Sequence, residues 1–208
     1  MNPTVVGIDV GGEQKGFHAV VLHDGKFLDK TANRDPAAIV DWCLDHNARV
    51  VAVDAPCRWS RYGSSRLAER ELNQQGIRCF YTPTRERALH RAFYEWVFNG
   101  EKLYRCLVAA YALFNGKLND ETMCIETFPH AIVCALAGRV VSAKPKATVR
   151  RAALLGRGYD ISDLPNIDFV DAALCAVTAD AFHNDSYKRY GARDEGFIVV
   201  PSILSSIY

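Results

Sequence analysis

Asp9, Asp54 and Glu126 each sit in or at the end of an apolar run, where an ionised side chain is costly to place. Asp9 lies within Val5-Val6-Gly7-Ile8-Asp9-Val10, Asp54 closes Val50-Val51-Ala52-Val53, and Glu126 follows Met123-Cys124-Ile125. Such β-branched runs bounded by Gly or Pro read as strands covered on both faces. A buried carboxylate there is unfavourable by several kcal/mol unless a cation or hydrogen-bond donors compensate it. Asp168 and Asp171 add two acids on one face of a late helix, since residues three apart are neighbours there. Oxygen-only ligands of this kind suit Mg²⁺ or Mn²⁺ far better than zinc. Two such ions about 3.5–4 Å apart can activate water and stabilise the leaving oxygen in phosphodiester hydrolysis. The expectation is a metal site of Asp9, Asp54 and Asp171, with Glu126 and Asp168 as further ligands and Asp9, Asp54, Glu126 and Asp171 as the catalytic set.

Each acid also has a plainer role open to it. Asp9 can bond backbone amides at the Gly11-Gly12 turn, Asp54 can cap the turn at Ala55-Pro56, and Asp168 can sit in the first turn of its helix, favoured by the dipole. Asp180 lies roughly half a turn round the helix from Asp171 and should point away.

Phosphate chemistry also needs cations. Arg58, Arg61, Arg66 and Arg70 follow Asp54 directly and are expected near the acidic edge, either to grip a phosphate or to offset the acids. Two further cationic stretches hold Arg85, Arg87 and Arg91, and Arg139, Lys144, Lys146, Arg150, Arg151 and Arg157; either can equally be a solvated helix face. The net charge of +1 gives no global drive toward nucleic acid, so any such binding must be local.

The elements that must position these groups follow from pattern. Thr4 to Val10 is strand one, Gly16 to Leu22 strand two, and Lys26 to Asn33 strand three, with the Asp24-Gly25 hairpin turn between the last two. Pro36 opens a helix through Leu44 with Asp35 as N-cap, and Arg49 to Asp54 is strand four. Ser64-Ser65 precedes a capped helix ending at Gly76, and residues 84–116 read as two helices. Their aromatics, Phe93, Tyr94, Trp96, Phe98, Tyr111 and Phe114, fall at helical spacing and are assigned to the core. Met123 to Phe128 is strand five; helices follow over 131–136, 148–155 and 168–182, and Phe197 to Val200 is a late strand or extended tail.

The result is a mixed five-stranded α/β sheet flanked by helices, in one domain over 1–208 with a helical insertion at about 58–118. At 49% hydrophobic and 24% charged residues, the composition is that of an ordinary soluble domain, and no apolar run approaches the ~20 residues a membrane span needs. Met1-Asn2-Pro3 does not resemble a secretory leader, and the seven scattered cysteines fit a reducing cytosol, so a cytoplasmic protein is expected.

The strand order, the acids on strands one and four, and the late Asp168-x-x-Asp171 resemble the ribonuclease H-like fold, and within it the RuvC-type Holliday-junction resolvases. More closely, Gly7-Ile8-Asp9, Val53-Asp54-Ala55-Pro56, Arg66 to Gly76, Glu126-Thr127-Phe128-Pro129 and Asp171-Ala172-Ala173 resemble the DUF429 family of predicted nucleases, over residues 4–182. That resemblance implies a metal-dependent nuclease acting on DNA or RNA. One departure from ribonuclease H enzymes proper is the helix after strand three, which offers Asp41 and Asp45 but no glutamate. Asp9-Val10-Gly11-Gly12 also resembles the first phosphate loop of actin-like ATPases and sugar kinases, an activity that would need a dimer to close over the nucleotide, or a reduced site. A non-catalytic nucleic-acid-binding protein retaining the fold is the third reading, and divalent-ion binding separates it from the other two.

Overall fold

The computed structural model describes residues 3–118 and 121–202; Met1 and Asn2, part of the leader reading, lie outside them. Strands β1 (Val5–Val10), β2 (Phe17–His23) and β3 (Lys26–Asn33) form an antiparallel meander. The β2–β3 hairpin closes through Asp24 and Gly25, both at positive φ (47° and 72°), the geometry Asp-Gly adopts most readily. Helix α1 (Pro36–Asp45) begins where Asp35 accepts a hydrogen bond from the Ala37 amide, and it returns the chain to β4 (Val50–Asp54), parallel to β1. The fifth expected strand is β6 (Met123–Thr127), parallel to β4. The order β3-β2-β1-β4-β6 with these directions is the ribonuclease H-like arrangement expected from the sequence.

The sheet is larger than the five strands expected. β8 (Gly196–Pro201) pairs parallel to β6, and β7 (Tyr187–Ala192) pairs antiparallel to β8 at the edge. The short β5 (Ala112–Leu113) also pairs with β6, giving eight strands among the described residues. Tyr-Lys-Arg-Tyr-Gly-Ala carries little apolar alternation, as an exposed edge strand should not, and so gave no strand signal.

Between β4 and β6 lies the insertion: α2 (Leu67–Gln74), the single turn α3 (Arg85–Ala88), a 3₁₀ turn at Ala92–Tyr94 and α4 (Glu95–Leu107). Residues 84–116 therefore hold one full helix, and the core assignment of their aromatics holds only in part. Tyr111 and Phe114 are buried, but Phe93 is 62% exposed. At the start of α2, Arg66 takes the N-cap position expected for a serine, and its amide donates to Glu69 Oε2 at 3.0 Å. Helices α5 (Pro129–Ala137), α6 (Lys146–Leu155) and α7 (Ile167–His183) follow, with Asn166 capping α7 and Asp168 in its first turn.

Strand parity sorts the core into two layers. Val6, Ile8, Val51 and Val53 join α1 and α4 on one face. Val5, Val50, Ala52 and Ile125 join α5 and α7 on the other. Gly7 lets α7 come close on that second face: a Cβ there would sit 2.0 Å from the Ala172 carbonyl oxygen and 2.1 Å from the Ala176 nitrogen. No helix among the described residues is long and apolar enough to cross a membrane.

Candidate metal centre

Asp9 stands two residues after Gly7 on β1, so it points to the same face, toward α7. Asp54 is its register partner on β4 and shares the parity of Val50 and Ala52, hence also that face. Asp171 is buried on α7 and meets them from above. One oxygen from each of Asp9, Asp54 and Asp171 lies within 4.8 Å of the others. The parallel pair β1–β4 thus carries two acids at its C-terminal edge, and close packing at Gly7 delivers the third.

A second group adjoins the first. Asp168 lies one helical turn before Asp171, and His18 is the cross-strand partner of Asp9 on β2. Ligand atoms of Asp9, His18 and Asp168 also fall within 4.8 Å of one another, so Asp9 belongs to both groups. The His18 ring stands edge-on to Phe169 at 5.0 Å and its buried Nδ1 has no hydrogen-bond partner.

Three cations face these acids. Lys15 Nζ lies 3.3 Å from Asp9 and 2.7 Å from Asp168, and Lys146 Nζ lies 3.0 Å from Asp171. Arg150, one turn further along α6, also contacts Asp171. Burial first, then the Asp171 carboxylate, push Asp9 up to about 6 against the pull of Lys15. Asp54 keeps part of its surface open to solvent, yet the protein packed round it, and then Asp9 and Asp171, lift its carboxyl well above the usual range. Burial would lower Lys15, but Asp9 and Asp168 outweigh it and raise it. Burial lowers His18, favouring its neutral, ligating form.

Such a donor set fits a hard divalent cation. Its atoms converge, they are mostly carboxylate oxygens, and the buried Asp171 Oδ1 has no hydrogen-bond partner. Carboxylates this close repel one another, and a cation between them removes that repulsion.

Glu126, expected among these ligands, lies elsewhere. Its register partner is Val53, not Asp54, so it points to the opposite face of the sheet. There Arg66 grips it from both ends of the guanidinium, at 2.5 Å to Oε1 and 2.8 Å to Oε2, and the Cys57 amide donates to Oε2 at 2.8 Å. Arg66 is 1% exposed and also donates through Nε to Glu69 at 2.9 Å, so it is a buried structural cation, not an open phosphate grip. Arg70 donates to the Ser65 carbonyl, Arg61 pairs with Asp194 at 3.6 Å, and both are exposed, as is Arg58. The cations at the acids are instead Lys15, Lys146 and Arg150. Lys146 and Arg150 were visible as an i, i+4 pair within a basic stretch; Lys15 and His18 had no signal until the β1–β2 register set them beside Asp9.

A family model described as "Protein of unknown function (DUF429)" matches residues 7–196, a span that contains every residue of both acidic groups, and the chain belongs to that family. No curated protein matches it. Among solved structures, Thermus thermophilus RuvC is similar at 20% identity, covering 88% of this chain and 96% of that one, with a TM-score of 0.45.

Proposed function

We propose that this DUF429 protein is a metal-dependent nuclease that hydrolyses phosphodiester bonds of nucleic acid with Mg²⁺ or Mn²⁺. The observation that carries the reading is the convergence of Asp9, Asp54 and Asp171 at the C-terminal edge of parallel strands, where open α/β sheets bind ligands. Asp9, Asp54 and Asp171 would hold one ion, and Asp9, with Asp168 and His18, a second. When bound, such ions supply a nucleophile at neutral pH and charge stabilisation of the leaving oxygen.

The chain's own residues do the rest. Asp9 is common to both groups, so it fixes their separation, and its place on a central strand keeps that separation rigid. Lys146 and Arg150 reach Asp171 from α6 and would hold a phosphate oxygen beside it. Lys15, on the β1–β2 turn, balances Asp9 and Asp168 until a ligand arrives. Glu126 acts at a distance from the chemistry: it fixes Arg66 and the Cys57 amide, and so the chain leaving Asp54.

The test is cleavage of labelled single-stranded, duplex and branched DNA and RNA with Mn²⁺, comparing wild type with Asp9→Asn. The proposal expects cleavage by the wild type and none by Asp9→Asn. Equal activity in both, or no activity of the wild type on any substrate, would sink it.

A further inference from the structure

The insertion between β4 and β6 carries a surface that the acidic site does not explain. Phe93 is 62% exposed, Tyr62 78% and Tyr81 44%, and all three lie on its outside. Hydrogen bonds join the segments that bear them: Ser60 N to Pro83 O and Thr84 N to Gly63 O, each at 3.1 Å, and the Tyr94 hydroxyl to Tyr81 O at 3.5 Å. Inward from Phe93 the rings continue to Phe80 at 6.3 Å, and Phe80 lines a cleft with Pro56, Trp96, Phe128 and Asp54 itself. Arg66 and Glu126 line that cleft too, so the rings reach the end of β4 on the face of the sheet opposite to the one the Asp9, Asp54 and Asp171 side chains share.

Charge marks the same segment. Residues 58–91 hold eight arginines against three glutamates, in a chain whose net charge is +1. Arg66 and Glu69 are buried against each other, but Arg58, Arg61, Arg78, Arg85, Arg87 and Arg91 are exposed. Two of these lie over rings, Arg61 at 5.1 Å from the Tyr62 centroid and Arg85 at 5.2 Å from that of Phe98. Flat apolar faces interleaved with guanidinium groups suit a polyanion that presents its own flat faces.

We propose that this insertion is a platform for unpaired nucleotides, whose bases stack on Tyr62, Tyr81 and Phe93 while the surrounding arginines hold the backbone. The inference rests on the nucleic-acid reading of the acidic site and adds to it the class of substrate: single-stranded or locally unpaired. An intact duplex hides its base faces in its own stack and leaves these rings without partners. A second copy of the chain is the poorer occupant, because a two-fold contact would set this arginine-rich patch against itself.

Binding is measured apart from cleavage, by fluorescence anisotropy of labelled oligothymidylate and oligouridylate with the full chain in a chelator. Tyr62→Ala and Phe93→Ala should each weaken binding about tenfold, the scale of one base–ring stack. Phe93→Leu should weaken it likewise, since leucine keeps apolar area and loses the ring face. Leu28→Ala, on a 60%-exposed residue of the edge strand β3, should leave affinity unchanged. Abasic oligonucleotides and a matched duplex should bind more weakly than the intact single strand. Ring variants that bind as the wild type does, a duplex held equally well, or a solution dimer that the ring substitutions dissociate would each overturn the platform. The two readings fail separately: ring-dependent binding without Asp9-dependent cleavage removes the nuclease and keeps the platform, and the converse does the opposite.

Discussion

Asp9 is held where its charge is least welcome, beside Asp171 and Asp54 with Lys15 in direct contact. Its carboxyl is raised to about 6 from an ordinary value of 3.8, so between those pH values the folded chain binds more protons than the unfolded one. Stability of the metal-free protein should therefore fall as pH rises from about 4 to about 6, and Asp54, raised for the same main cause, should add to that fall. Divalent ions need the deprotonated acids, so the rise in melting temperature with Mn²⁺ should grow across the same window. At a hundredfold excess over Kd the gain is about 2.7 kcal/mol, several degrees for a chain of this size. Asp9→Asn keeps the shape and removes the charge: its metal-free melting temperature at neutral pH should equal or exceed that of the wild type, and the Mn²⁺ shift should vanish. Thermal melts at pH 5 and 7.5, with and without Mn²⁺, decide both points, and a variant still stabilised by Mn²⁺ would exclude Asp9 as a ligand. Arg66 makes the opposite case. Arg66→Ala leaves Glu126 and Glu69 buried and unpaired, and urea unfolding should show a loss of about 3–5 kcal/mol. A loss of oligonucleotide affinity at unchanged stability would instead return Arg66 to the phosphate-binding role its place after Asp54 suggested.

Among the elements, the packing of α7 on β1 decides whether the acids meet. A methyl group at residue 7 would strike the backbone of α7 at the Ala172 carbonyl and the Ala176 nitrogen, and neither can move without moving the helix. Gly7→Ala should destabilise the fold by about 3 kcal/mol or more, and any folded fraction should lose its Mn²⁺ shift because Asp171 travels with α7. Gly63→Ala, where no atom lies within 4 Å, should stay within about 0.5 kcal/mol of the wild type. Urea melts read with and without Mn²⁺ check the pair; a Gly7→Ala protein of wild-type stability would mean that α7 sits farther from β1. Element patterns were legible in the sequence where burial was complete. β1, β4, β6 and α7 are apolar runs within a residue or so of where they were expected, and Asp9, Asp54 and Asp171 came with them. Glu126 was grouped with them because strand identity can be read from composition while register cannot: one residue of offset between β4 and β6 sends it to the other face.

Over the whole molecule, what stayed hidden in the sequence is what solvent touches. The edge strand β7 lacks apolar alternation because one side has no neighbour, and Phe93 was assigned to the core because helical spacing reports period, not which side is covered. Charge behaves the same way. A net of +1 gives no hint of binding, yet the arginines of residues 58–91 gather on the insertion while Asp9, Asp54 and Asp171 gather at the sheet edge. A chain polarised in this way should bind single strands with a marked salt dependence despite its near-neutral total. Each phosphate contacted on a single strand contributes a slope of about −0.7 in log K against log salt. Arg87→Gln and Arg91→Gln remove exposed charges and bury nothing, so each should make the slope shallower by about that amount and leave unfolding unchanged. Arg139→Gln, an exposed cation outside the insertion, should leave the slope as it is. Anisotropy titrations in chelator over a series of NaCl concentrations give the slopes directly. If Arg139→Gln flattens the slope and the two insertion variants do not, the backbone runs over α5 and α6 toward Lys146 and Arg150, and the insertion is not its path.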